Sequence, residues 1–122
     1  MALLLWLLAA ALAAAGAPPA DNARCLVCHL NFKEEQLARR HQQAGIGCER
    51  CHGESSAHTS DEDNVTPPDI LYATRAVNPL CLKCHPEERL RPKHQAAALK
   101  QQHCTACHGK HRLPVRSQRR GG

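Results

Sequence analysis

The sequence predicts one small domain of two repeated halves, packed around a centre that side chains alone do not fill. Three observations lead there. The 122 residues include one Phe, one Tyr and one Trp, whereas aromatic side chains ordinarily supply much of a core's buried area. All eight Cys fall in four Cys-x-x-Cys pairs, and each pair is followed at once by His. Cys25 to Cys81 and Cys48 to Cys104 are both 56 residues apart, which marks an internal repeat. A chain this short has room for one domain. With so few rings, its interior needs disulfides, metals or a large cofactor.

Residues 1–20 read as an export signal. Ala2 to Ala17 is an apolar run that holds the single Trp6. Its length suits a signal-peptide core better than a membrane span, which needs about 20 residues. Ala13, Ala14 and Ala15 are the small residues a signal peptidase accepts, so cleavage is expected near Ala15. No Lys or Arg precedes the run, and an uncleaved anchor is the alternative. Asn22-Ala23-Arg24 do not make Cys25 a lipidation site.

The four motifs are Cys25-Leu26-Val27-Cys28-His29, Cys48-Glu49-Arg50-Cys51-His52, Cys81-Leu82-Lys83-Cys84-His85 and Cys104-Thr105-Ala106-Cys107-His108. Two Cys three apart stand about one helical turn from each other, so both thiols reach the two vinyl groups on one haem edge. The adjacent His then projects under the porphyrin as proximal iron ligand. Paired Cys also build zinc sites, and eight Cys in an exported chain can form four disulfides. Neither alternative explains a His after every pair, a coincidence with odds on the order of 10⁻⁵ for nine randomly placed His. The expected cofactors are therefore four haem c groups. Their thioethers would form on Cys25, Cys28, Cys48, Cys51, Cys81, Cys84, Cys104 and Cys107, with His29, His52, His85 and His108 as proximal ligands.

Five His remain: His41, His58, His94, His103 and His111. The one Met is Met1, so no haem is expected to have the His/Met ligation that raises the potential of many soluble cytochromes. Bis-His, low-spin coordination follows, with one His to spare. His41 lies in an expected helix with Asn31 as N-cap, Glu34 at the third position and Gly45 as the stop. His94 lies in a second expected helix that starts at Pro92. His58 follows Gly53 by a short loop, and His111 follows Gly109 by a shorter one. His41 and His94 thus match as repeat equivalents, as do His58 and His111, each with a three-residue shift from the 56-residue spacing. These four are the expected distal ligands. His103 stands where the first half has Gly47, which makes it the spare or an alternative distal ligand.

The order motif, His, motif-Gly, His resembles the doubled CxxCH class of multihaem cytochromes c, including periplasmic pentahaem and decahaem electron carriers. The resemblance covers about residues 25–112 and is nearest to one module of those longer proteins. It implies a fold that is mostly irregular, with short α-helices packed around four covalently bound haems and little or no β-sheet. It also implies a periplasmic or extracellular location and redox protein partners. The expected divisions are a first dihaem half over 21–58, a linker loop over 59–79, a second dihaem half over 80–112 and a basic, disordered tail over 113–122.

In the linker, Ser60 to Asn64 is acidic but lacks the spaced ligands of a calcium loop, so a solvated connection is expected. The formal charge of +5 would invite a nucleic-acid partner. Four haems, however, bring about eight propionates, which would take the reduced protein to about −3. No interleaved aromatics are present to stack bases, so no nucleic acid is expected.

An electron carrier between a membrane donor and a terminal reductase or outer-membrane conduit is the leading expectation, and not an enzyme. An alternative is a reductase of a small nitrogen or sulfur oxyanion, which would need a haem with an open distal face. A membrane-anchored quinol dehydrogenase is another. The last is a homo-oligomer or filament in which one iron takes its His from the next subunit.

Overall fold

The computed structural model describes residues 16–94 and 97–112. The cleavage site near Ala15 and the tail over 113–122 lie outside the described residues, as does the helix continuity expected across residues 95 and 96. Among the described residues the regular structure is helical, in short pieces, with no strand. No described helix is long and apolar enough to cross a membrane.

Each motif winds one helical turn. The amides of His29, His85 and His108 donate to the carbonyls of Cys25, Cys81 and Cys104 at 3.1, 2.9 and 3.0 Å. The second motif is itself the helix Cys48–His52. An α-turn brings residues i and i+3 to one face, so both thiols of every pair share a side. The first motif begins in the helix Ala23–Leu26, the third ends the helix Thr74–Leu82, and the fourth opens with the 3₁₀ turn Cys104–Ala106. The helix into the third motif starts at Thr74, inside the stretch read as a linker loop, and carries Pro79 in its interior.

The helix holding His41 differs at its start from the expectation. It runs Gln36–Gln43, capped by Glu35, whose carboxylate accepts from the amides of Leu37 and Ala38 at 3.1 and 2.9 Å. Asn31 instead sits in a separate 3₁₀ turn, Leu30–Phe32. The physical reason is tertiary: this turn lodges the Phe32 ring against His29 and His111, with centroids 5.8 and 4.4 Å away. A continuous helix from Asn31 would have to give up that placement, and packing overrides a local cap signal. The expected stop at Gly45 is present. The Ile46 amide bonds the His41 carbonyl at 2.8 Å and the Gly45 amide bonds Gln42 at 3.0 Å, the paired closure of a Schellman turn. His94 lies in a 3₁₀ turn, Pro92–His94, and the α-helix that follows is Ala97–Gln101. At Pro92, where an α-helix is expected to start, the described backbone is thus a tighter 3₁₀ turn.

Two asparagines tie each half together. Asn22 Oδ1 accepts from the Cys48 amide at 2.9 Å, and Asn78 Oδ1 accepts from the Cys104 amide at 2.8 Å. Asn22 and Asn78 are themselves 56 residues apart. Among the described residues no apolar side chain is buried, and the buried residues are polar: Asn22 and Ser55, 5 % and 6 % exposed. Val27 and Leu71 remain 74 % and 68 % exposed. Polar clamps and helical turns, rather than an oily core, hold the polypeptide in shape. Where the described residues bury no apolar side chain, the main favourable term of folding is missing, so stability there must come largely from what the motifs bind.

Candidate cofactor site

The histidines come together in four pairs, each joining one motif His to one His from outside the motifs. His29 Nε2 and His58 Nε2 are 3.4 Å apart, with ring centroids at 5.7 Å. The centroids of His52 and His111 are 6.0 Å apart, those of His41 and His85 are 6.1 Å apart, and those of His94 and His108 are 5.7 Å apart. Two imidazoles that share one metal at about 2 Å each place their nitrogens about 4 Å apart and their ring centres about 6 Å apart. In all four pairs the ring centres have about that separation, and the His29 and His58 nitrogens stand somewhat closer than about 4 Å. Among the described residues, His103 is the one His without a ring partner.

The far nitrogens are held so that Nε2 is left for a metal. A carbonyl can only accept, so the Nδ1–H groups of His41, His58 and His52 donate to Leu37 O, Thr66 O and Ile70 O at 2.8, 2.7 and 2.9 Å. Such outer partners fix the tautomer and ring orientation of a ligating His. His111 differs, because its Nδ1 lies 3.1 Å from the Glu35 carboxylate. Burial by itself would raise the Glu35 carboxyl. The Ala38 and Leu37 amides, His111 and the Lys110 amide outweigh that and keep it below the usual carboxylate range. Burial, followed by the nearby His58, His52 and His111 rings, lowers His29 and favours its neutral, ligating form.

The cysteines line up in chain order. Burial pushes the Cys48 thiol up to about 11, with the Cys25 thiol bonded beside it. Burial likewise raises Cys81 to about 11, with Cys104 alongside. Cys51 is raised by burial and then by Cys84. Consecutive motifs are therefore neighbours, first beside second, second beside third and third beside fourth. No disulfide links any of the eight, which are half-buried or exposed. Among the described residues no three His, Cys, Asp or Glu side chains converge as a bare metal ion would require. The donors come instead as opposed imidazole pairs, each beside two thiols one turn apart, and this set fits haem c.

The aromatic residues serve the same histidines. Phe32 lies between His29 and His111. The Tyr72 and His52 rings meet in an edge arrangement at 6.3 Å, and the Tyr72 hydroxyl donates to Cys51 O at 3.0 Å. Sequence reasoning missed the roles of Phe32, Tyr72, Asn22, Asn78 and Glu35. The one signal within reach was the 56-residue match of the two asparagines.

Thiols one turn apart with a proximal imidazole define a cytochrome of the c type. The family comparisons agree: a model for the doubled CXXCH motif matches residues 40–90, across the second and third motifs. A model for cytochrome c554 and c-prime matches residues 9–53, across the first and second. The chain is a multihaem c-type cytochrome. No curated protein and no solved structure matches it.

Proposed function

We propose that the protein is a tetrahaem electron carrier whose four irons are each bound by two His. On this reading the pairs are His29 with His58, His52 with His111, His85 with His41, and His108 with His94. The observation that carries the reading is that every motif His has a second imidazole with its ring centre about 6 Å away, the spacing of two rings on opposite sides of one metal. When bound, haem supplies one-electron chemistry at low potential under bis-His ligation. The polypeptide orients the imidazoles, holds their Nδ1 protons and keeps consecutive motifs side by side.

Closing both axial positions leaves no site for a substrate, which favours a carrier over a reductase. His103 serves as the spare. The 26-residue span from Asn22 to Cys48 recurs from Asn78 to Cys104 and supports two equivalent dihaem halves. The apolar run over Ala2 to Ala17 supports export to the periplasm or cell surface. There the protein would pass electrons between a membrane donor and a terminal reductase or an outer-membrane conduit.

The test is an optical and EPR titration of the mature protein, made with haem-attachment machinery, together with its mass. Four added haems, low-spin signals only and indifference to carbon monoxide are expected. A high-spin signal, or carbon monoxide binding at even one haem, would overturn closed ligation and bring catalysis or ligation between subunits forward.

A further inference from the structure

We propose that Glu35 is a positioning residue for His111, lowering the potential of the His52/His111 site relative to sites whose outer bonds end on carbonyls. The inference rests on the ligation proposed above and assigns Glu35 a role within it. Glu35 Oε2 lies 3.1 Å from His111 Nδ1, and the side chain is 7 % exposed. The same carboxylate takes three backbone amides, from Leu37, Ala38 and Lys110, at 3.1, 2.9 and 3.0 Å. It is thus fixed from both ends of the chain and cannot swing away into water. Gly109 completes the fit: its φ is +90°, and a Cβ there would run into Glu35 Oε1.

A buried carboxylate on Nδ1–H strengthens the hydrogen bond and pushes electron density onto the ring. The more basic Nε2 then favours the ferric form, which lowers the potential. At His41, His58 and His52 the acceptor is a neutral carbonyl, and the push is smaller. Asp69 is the natural contrast. It stands against Gly53, 56 residues before Gly109, as Glu35 stands against Gly109, yet it bonds the Ser55 amide and not a ligating ring.

Glu35 also borders a groove of about 380 Å³ with Gln36, Ala106, Cys107, Gly109 and Lys110. Its charge therefore reaches the fourth motif as well, and the experiment must separate the two effects. Potentials and EPR lines are compared in holoprotein carrying Glu35→Gln, which keeps an oxygen to cap the helix, and Asp69→Asn. The line lost in His111→Ala marks the His52/His111 site, and the line lost in His41→Ala marks the site on the capped helix.

In Glu35→Gln the His52/His111 site should rise by about tenfold in its redox equilibrium, about 59 mV for one electron. Its EPR line should move while the His41 line stays in place. Asp69→Asn should leave every line unchanged. Unmoved potentials and EPR lines in a Glu35→Gln protein with four haems would overturn the proposal, and so would an equal shift of all four sites. If Glu35→Gln does not mature, Glu35→Asp keeps the charge but draws it back from the ring. It should show a smaller shift of the same sign, and an unmoved line there also overturns the proposal. Fewer than four haems, or a high-spin line, in the unsubstituted protein would instead remove the ligation reading and this proposal with it.

Discussion

The two halves share a pattern but not a set of surroundings. In each, an asparagine holds the first cysteine of the following motif, and a positive-φ glycine follows that motif's histidine, Gly53 in one and Gly109 in the other. The pairings then diverge. The loop histidines, His58 and His111, face the first and second motifs. The histidines of the glutamate-capped helix and the Pro92–His94 turn, His41 and His94, face the third and fourth. Each half therefore gives one outside His to itself and one to its partner. The outer bonds differ as well: His58 is held by the carbonyl of Thr66, but His111 by the carboxylate of Glu35 in the other half. A sequence repeat supplies the same groups twice, and the fold is free to use them differently.

The hardest test of this contrast is to remove the outside histidines one at a time. His58→Ala should turn the first-motif haem high-spin, whereas His111→Ala should do so at the second motif and not at the fourth. The His103→Ala protein should keep four low-spin haems. EPR and carbon monoxide binding on the mature proteins check all three. A fourth-motif haem opened by His111→Ala would break the cross-half pairing.

A smaller effect sharpens the comparison at the glycines. Alanine at either position forces a Cβ onto positive φ, at +78° for Gly53 and +90° for Gly109. Such strain costs about 1–3 kcal/mol. Gly109→Ala should cost more, because its Cβ meets Glu35 Oε1 as well as Leu37 Cβ at 3.1 Å, while that of Gly53 meets Asp69 at 2.9 Å. Thermal unfolding of the two holoproteins measures the difference, and equal losses would mean that the Glu35 contact yields freely.

The smallest effect concerns the loop behind His58. Asp61 accepts the amides of Thr66, Val65 and Asp63, and these bonds, with one from the Thr66 hydroxyl, depress its pKa from 3.8 to about 2. A depressed folded pKa gives stability that is present above the unfolded value and lost as pH falls through the folded one. The Val65 and Thr66 amide resonances of the reduced protein should therefore shift as pH drops from about 4 through about 2. Asp61→Asn should abolish that transition, and its persistence would assign it to another group.

Much of the site was legible in the sequence. The motifs, their one-turn winding and the Gly45 stop all rest on local spacing. The helix start did not. Asn31 offers a good local cap, but the placement of Phe32 between His29 and His111 is a contact across about 80 residues, and local chemistry does not record it. The pairings were hidden for the same reason. Any of five histidines can face any of four motifs at equal chemical merit, and only the folded path of the chain decides. Glu35 was invisible because its partner lies 76 residues away.

On the proposed ligation, the crossed histidine pairs also change what a broken backbone would mean. The spans 29–58, 41–85 and 52–111 overlap, and 94–108 lies inside the last. Every peptide bond between residues 29 and 111 is then enclosed by at least one iron-closed loop. A protease that nicks the exposed acidic turn at Glu62 or Asp63 would leave two fragments still fastened to each other through coordinated metal. Overlapping closures of this kind do for a small chain with few aromatic side chains what interlocked disulfides do for secreted miniproteins.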